Sequence, residues 1–221
     1  MQPIVDDAFK TGQADAVTAV IAAGGRAAEK GWVPATSGNF SVRIDAETIA
    51  ITRSGVDKGR LEASDILIQP LDAPLLPGSS AEALLHIDHY RAHPATGAIF
   101  HTHSPHATVI GRAHLSAGTV WLSGWELQKA LSGVKTHETA VEVPIFANDQ
   151  DIARLSTRVS VRFAASLPAE REGLPAIRAP GYLLAGHGIY AFGATPFEAF
   201  RHLDAFEALF HQELLLRSTQ S

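Results

Sequence analysis

The amino-acid sequence predicts an α/β fold in which helices pack against a mixed sheet. Segments with helical periodicity alternate with segments of strand character along the whole chain, and two of the strands are close enough to form a hairpin. With 221 residues, 46% of them hydrophobic, the chain is long enough to bury one sizeable core. It contains no internal repeat or low-complexity linker, so we predict a single domain over residues 1–221.

The first third of the chain is predicted to contain one helix and three strands. Apolar residues recur at helical spacing over residues 13–31. Alternating patterns predict strands at 40–44 and 48–52, and the turn around Asp45 between them predicts a hairpin. A third short strand at 66–68 precedes a loop rich in Pro, Gly and Ser.

The remaining two thirds continue the alternation. Residues that favour helices, with Ser80 and Thr195 as N-cap residues for two of them, predict four further helices, at 81–91, 125–131, 149–165 and 196–217. Apolar and alternating runs predict four further strands, at 97–100, 141–146, 182–185 and 189–192.

The composition narrows the range of functions. The formal net charge is -5 and no basic block is present, which argues against a nucleic-acid partner. The chain has no cysteine, so any zinc must be bound by histidine or carboxylate. Residues 1–7 lack the features of a signal peptide, and no apolar run approaches the roughly 20 residues of a membrane helix. We therefore predict a cytoplasmic protein with no membrane partner.

Three of the eleven histidines form a candidate metal site. His101 and His103 follow an apolar strand, and residues two apart on a strand point to the same face. His187 lies between two glycines that join two further strands, where a tight turn brings its side chain close to a neighbour. Three histidines with an open fourth position are typical of catalytic zinc.

The same histidines also allow a plainer interpretation, in which two polar residues end a strand and a third satisfies a turn. Five of the other histidines are predicted to have no special role. A stripe of three on one helix is expected to be solvated or partly buried, and two on the last helix are expected at the surface; these are His86, His89 and His93, and then His202 and His211.

Five short motifs occur in order over nearly the whole chain. They are Ser37-Gly-Asn-Phe-Ser-Val-Arg43, Thr52-Arg-Ser-Gly55, Ser80-Ala-Glu82, His101-Thr-His103 and Ala185-Gly-His-Gly188. As an ordered set they resemble the class II aldolase family, which includes fuculose-phosphate aldolase and ribulose-phosphate epimerase. Three further stretches, at 125–131, 136–138 and 143–152, resemble the methylthioribulose-1-phosphate dehydratases within that family.

The resemblance implies a three-layer α/β/α fold with a central mixed, largely antiparallel sheet. It also implies a homotetramer with active sites at the subunit interfaces. Carried over position by position, it implies one zinc ion per subunit held by His101, His103 and His187. Glu126 matches the acid/base glutamate of the dehydratases, and Glu82 matches the metal-proximal glutamate of the aldolases. Some dehydratases lack a carboxylate at this last position, which leaves the role of Glu82 open.

A phosphate group is best held by backbone N–H groups and hydroxyls in Gly-rich turns, aided by a cation. Three turns of this kind are present, and a lysine follows the second. The predicted substrate and phosphate contacts are Ser37, Gly38, Asn39, Ser54, Gly55, Lys58 and Ser80. The aldolases have two serines before the glutamate, whereas this chain has Ser80-Ala81, so one phosphate contact of the aldolase pattern is expected to be missing.

Together these features predict a zinc-dependent hydro-lyase of methionine salvage. It would dehydrate 5-methylthioribulose 1-phosphate to 2,3-diketo-5-methylthiopentyl 1-phosphate, with Glu126 transferring protons. Two alternatives stay open: a class II sugar-phosphate aldolase that uses Glu82 as its acid/base, and a non-catalytic scaffold of the same fold. The retained histidines argue against the scaffold. Without the resemblance, Glu126 is a solvent-facing helix residue beside Lys129.

Overall fold

The computed structural model describes residues 12–219, which contain five α-helices and ten strands. The helices are α1 (Gln13–Glu29), α2 (Ala83–Ala92), α3 (Pro105–Ala113), α4 (Ile152–Ala164) and α5 (Pro196–Ser218). The strands are β1 (Asn39–Arg43), β2 (Thr48–Thr52), β3 (Ile66–Pro70), β4 (Ala98–Thr102), β5 (Thr119–Leu122), β6 (Ala140–Ala147), β7 (Glu170–Arg171), β8 (Leu174–Arg178), β9 (Gly181–Ala185) and β10 (Gly188–Gly193).

All ten strands join one sheet in the order β3-β2-β1-β4-β10-β9-β6-β8-β7, with β5 also paired to β6. The predicted hairpin of β1 and β2 is present, and the Asp45 carboxylate stabilises its turn by accepting from the backbone N–H of Thr48 at 2.8 Å. Only the pairs of β6 with β8 and with β9 are parallel. The sheet is therefore mixed and largely antiparallel, as predicted.

Helices cover both faces of the sheet. On one face α1, α3 and α5 pack over a core that includes Phe40, Phe100 and Phe206. On the other face α2 and α4 pack over a second core that includes Ile99 and Tyr182. Neighbouring residues of β4 thus contribute to opposite cores, because side chains alternate across a strand. The predicted three-layer arrangement is confirmed.

The sequence patterns missed four short elements, namely α3, β5, β7 and β8. Helix α3 contains Gly111 and the β-branched run Thr108-Val109-Ile110, which have low helix propensity. Packing decides its structure instead, because Gly111 lies directly against β9. The segment predicted as a helix at 125–131 is a 3₁₀ helix, Glu126–Ala130.

Three histidines are more buried than expected, since two were predicted to be solvated or partly buried and one to lie at the surface. His86 and His89 are enclosed because α2 packs against the sheet beside α4. His202, on α5, is fully buried and donates from Nδ1 to the carbonyl oxygen of Phe192 at 2.7 Å. Each of the three finds a hydrogen-bond partner inside the protein, which is what allows a polar ring to be buried.

Within residues 12–219, no helix combines the length and the apolar composition needed to cross a bilayer. The polar segment 1–7, from which the absence of a signal peptide was predicted, lies outside the described residues.

Candidate metal centre and active site

Three imidazole rings meet where β4 and β10 approach the β9–β10 turn. His101 is on β4, His103 follows that strand, and His187 lies in the turn. Their Nε2 atoms are 3.1 Å apart between His101 and His103, 3.3 Å between His101 and His187, and 2.9 Å between His103 and His187. This is the cluster that the sequence predicted, and its geometry could hold a metal ion.

The turn that carries His187 depends on its flanking glycines. Gly186 has a φ of 69°, in the left-handed region that favours glycine. A Cβ atom on Gly188 would lie 1.9 Å from the carbonyl oxygen of Thr102, so no side chain fits there. The turn can therefore lie directly against the end of β4, which brings the third imidazole to the first two.

Hydrogen bonds fix the tautomers of two of the rings. His101 donates from Nδ1 to the carbonyl oxygen of Ile189 at 2.9 Å. His187 donates from Nδ1 to Oδ1 of Asn148 at 3.1 Å, an oxygen that also accepts from the backbone N–H of Asp149. In both rings the unprotonated Nε2 faces the centre of the cluster, as it must to bind a metal.

The electrostatics of the site also favour neutral imidazoles. Burial lowers the pKa of His103 to about 4, with smaller contributions from His187 and Lys58. Burial likewise lowers the pKa of His101 well below its usual range. Neutral nitrogen ligands at 2.0–2.1 Å from a tetrahedral ion would lie about 3.3 Å from one another, close to the spacing observed here. The donor set and its spacing therefore fit zinc.

Glu82 lies beside this cluster, as the resemblance implied. Its Oε1 is 3.2 Å from Nε2 of His187, and its Oε2 is 3.7 Å from Nε2 of His101. Asn39 donates from Nδ2 to Oε2 at 2.7 Å and so fixes one side of the carboxylate. The side-chain amide of Asn39 is thus occupied by Glu82 rather than being free for a phosphate.

His103 and His187 line a cavity of 320 Å³, and all seven residues predicted to contact substrate or phosphate line it as well. Ser37 adds a buried hydroxyl for which the described chain provides no hydrogen-bond partner. Arg53 and Asn148 also line this cavity and were not singled out from the sequence. Arg53 does lie inside a motif quoted above, and Asn148 begins a polar run directly after β6. The unpaired hydroxyl of Ser37 and the guanidinium of Arg53 are groups that could bind a phosphorylated ligand.

Lys58 lines the cavity and stabilises the strained loop that contains Ala35 and Thr36. Its ammonium donates to the carbonyl oxygens of Thr36 and Val56, both at 2.8 Å. Ala35 and Thr36 have φ angles of 52° and 64°, which are costly for residues with a Cβ atom. Burial lowers the pKa of Lys58. Lys58 therefore has a structural task in addition to its predicted contact with an anion.

Glu126 does not line this cavity. Its side chain is 70% exposed and pairs with Lys129, and His137 is 3.8 Å away. Its 3₁₀ helix is attached near the beginning of β6, where Gln128 donates to the carbonyl oxygen of Thr139 at 2.7 Å. The metal cluster lies beyond the other end of β6, about 20 Å away at 3.3 Å per residue. Within one chain, Glu126 and the cluster are therefore far apart.

Comparison with known proteins decides the family. A family model, the class II aldolase and adducin N-terminal domain, matches residues 18–214. The chain belongs to the class II aldolase family. A methylthioribulose-1-phosphate dehydratase from Bradyrhizobium sp. (strain BTAi1) is 56% identical over 98% of this chain and 96% of its own length. A relative of the same name from Parvibaculum lavamentivorans is 45% identical over 91% of this chain and 94% of its own length. Both the predicted family and its dehydratase branch are confirmed.

Solved structures of class II aldolases share the fold. An L-fuculose-1-phosphate aldolase from Thermus thermophilus superimposes with a TM-score of 0.71, at 28% identity, over 92% of this chain and 96% of the other. A second L-fuculose 1-phosphate aldolase gives a TM-score of 0.73 at 20% identity, over 97% of this chain and 91% of the other. Class II aldolases depend on a metal, so family and geometry agree on a metal site.

Proposed function

We propose that this protein is a zinc-dependent methylthioribulose-1-phosphate dehydratase of methionine salvage. It would convert 5-methylthioribulose 1-phosphate to 2,3-diketo-5-methylthiopentyl 1-phosphate and water. The observation that carries the proposal is the cavity, where a three-histidine cluster faces the polar turns predicted to bind phosphate. Relatives with up to 56% identity bear this name.

The proposed metal ligands are His101, His103 and His187. Nitrogen ligands alone, with one position left open, are typical of catalytic zinc. When bound, zinc supplies Lewis-acid chemistry that makes the proton on C3 of the substrate, next to the C2 carbonyl, more acidic. The cavity side chains would hold the phosphate, which places the reacting carbons beside the cluster.

Two proton movements are left to the chain itself. The C3 proton must be removed, and the C4 hydroxyl must receive a proton so that it leaves as water. We assign both to Glu126, whose carboxylate takes the first proton and delivers it to the leaving oxygen. The resulting enol then becomes the diketone. Glu82 is assigned to accept a hydrogen bond from a substrate hydroxyl beside the cluster.

Because Glu126 is far from the cluster of its own chain, this assignment requires a neighbouring copy. The homotetramer implied by the resemblance, with active sites at subunit interfaces, would provide one. Glu126 is exposed, and Leu127, Leu215 and Leu216 are large apolar side chains that are also exposed. Leu215 and Leu216 line a shallow apolar groove with Trp125, the residue next to Glu126. An apolar surface around a catalytic carboxylate suits a contact between subunits.

The aldolase remains a second candidate because Glu82 lies at the metal cluster, where the aldolases have their acid/base glutamate. The deciding experiment incubates zinc-loaded protein with 5-methylthioribulose 1-phosphate, and separately with fuculose 1-phosphate. We expect the first substrate to lose one water by mass spectrometry and the second to release no aldehyde. Aldehyde release without dehydration would replace the dehydratase by the aldolase, and inertness toward both would favour the scaffold.

Two further properties belong to this proposal. We propose that residues 1–221 form one domain, which a single cooperative unfolding transition would support. We also propose a cytoplasmic location, to be checked by cell fractionation.

A further inference from the structure

A chain of buried polar groups leads from Glu82 into the layer between α2 and the sheet. Asn39 and Ser41 lie two residues apart on β1, and His86 and Tyr90 lie four apart on α2. The first spacing places two side chains on one face of a strand, and the second places two on one face of a helix. The two pairs face each other, and all four residues are buried.

The hydrogen bonds between these buried side chains are consistent with only one assignment of donors and acceptors. Asn39 donates to the Glu82 carboxylate, so its Oδ1 must accept from Nε2 of His86. Burial lowers the pKa of His86 to about 3, so the ring is neutral and its Nδ1 is an acceptor. The Ser41 hydroxyl therefore donates to Nδ1 of His86 at 2.7 Å. The Tyr90 hydroxyl in turn lies 2.9 Å from the Ser41 hydroxyl.

We propose that His86 is a positioning residue for Glu82, acting through Asn39. By donating to Oδ1 of Asn39, it obliges the amide to present Nδ2 to Oε2 of Glu82. That leaves Oε1 facing the metal cluster, 3.2 Å from Nε2 of His187. The proposal rests on the proposed function only in assigning Glu82 a contact with substrate. The placement of the carboxylate at the metal is independent of which reaction follows.

A purely structural role for His86 is the competing explanation, because a satisfied buried network also specifies how α2 packs on the sheet. Another buried histidine on α2 provides a matched control for His86. His89 lies on the same helix, is 8% exposed and bonds to Thr96 at 3.1 Å, outside the chain of groups that ends at Glu82. A structural role predicts similar consequences for the loss of either ring, whereas a positioning role does not.

The kinetic test uses full-length zinc-loaded protein with His86→Phe and His89→Phe. We expect His86→Phe to lower kcat by roughly tenfold to a hundredfold, the usual cost of losing an outer partner, with KM and zinc content little changed. His89→Phe should keep kcat. In a Glu82→Gln background, His86→Phe should cause no further loss, because its effect passes through Glu82. A full additional loss in that background, or equal losses from both single variants, would overturn the proposal.

A second measurement separates this proposal from the proposed function. Cobalt(II) in place of zinc gives visible absorption bands that respond to a carboxylate at the ion. His86→Phe should shift these bands as Glu82→Gln does, and His89→Phe should leave them as in the wild type. If no dehydration is found but the bands shift, the function fails and the positioning role stands. If His86→Phe does not fold, Ser41→Ala replaces it, and bands identical to the wild type there would refute the positioning role.

Discussion

The two glutamates predicted to act in catalysis lie in very different surroundings. Glu82 has a side chain that is 20% exposed, bonded to Asn39 and close to the imidazoles of His101 and His187. Glu126 has a side chain that is 70% exposed and pairs with a lysine on its own 3₁₀ helix. They lie beyond opposite ends of β6. One carboxylate is therefore held in place by its own chain, while the other is left at the surface.

Because of this difference, the metal site and the proposed acid/base are separable parts. The histidine cluster, its hydrogen-bonded partners and the polar cavity are all built by one chain. Glu126 can take part in catalysis only if another copy of the protein packs against this surface and brings its metal cluster close. The following predictions test the two parts separately.

The largest effect is expected at the cluster. His103→Ala removes one of three neutral nitrogen ligands, so purified protein should contain far less than one zinc ion per chain. Dehydration should fall by at least about a thousandfold, because the Lewis acid contributes several kcal/mol to the reaction. Metal analysis and a dehydration assay check both values. A variant that remained fully loaded and active would show that the ligand assignment is wrong.

The next largest effect is expected at the exposed glutamate. Glu126→Gln should keep zinc and fold but lose dehydration by about a hundredfold or more, the usual scale for a general acid/base. Glu82→Gln should lose less, roughly tenfold to a hundredfold. If Glu126→Gln dehydrates the substrate at nearly the wild-type rate, the assignment of Glu126 as the acid/base residue is wrong.

Mixing variants tests whether the site is shared. His103→Ala and Glu126→Gln should each have at most about a hundredth of the wild-type activity alone. Hybrid oligomers assembled from both nevertheless contain some sites with intact histidines and an intact glutamate. We expect part of the activity to return after the two proteins are dissociated and reassembled together. Mixing His103→Ala with His187→Ala is the matched control, which should recover nothing. No recovery in the first mixture would place Glu126 outside the site.

A smaller effect is expected in the phosphate turns. Ser80→Ala removes a hydroxyl that lines the cavity, so KM should rise by about tenfold while kcat changes little. Its Oγ also accepts from the backbone N–H of Glu82 at 3.2 Å, so a thermal melt should accompany the kinetics. If the wild type has the same KM for phosphorylated and dephosphorylated substrate, these turns do not bind the phosphate.

The last prediction concerns stability against pH rather than activity. His86 has its folded pKa lowered by burial to about 3, below the usual value of 6.5, so the unfolded chain binds a proton that the folded chain does not. Its contribution to stability is therefore fully present above pH 6.5 and is lost as pH falls toward 3. We expect the wild type to lose about 1.4 kcal/mol per pH unit more than His86→Phe in this window. Denaturant unfolding of the zinc-free proteins at a series of pH values measures this difference. Parallel curves for wild type and His86→Phe would contradict it.

The alternation of helices and strands, the three histidines and the turns that face them could all be predicted from the sequence alone. These follow from local periodicity, from glycine positions and from motifs, all of which can be read along the chain. Helix α3 was missed because its β-branched residues and Gly111 oppose helix formation locally, and only its packing against β9 compensates.

Which polar residues act together depends on the tertiary fold. His86, expected on a solvated or partly buried stripe, is buried because that face of α2 packs against the sheet. Its bonds to Asn39 and Ser41 join residues 45 to 47 positions apart in the chain. The distance between Glu126 and the cluster follows from the strand order and from the length of β6, which no local pattern specifies. Local sequence determines what a residue can do chemically, whereas burial and proximity depend on contacts between distant segments, and those are fixed only when the whole core packs.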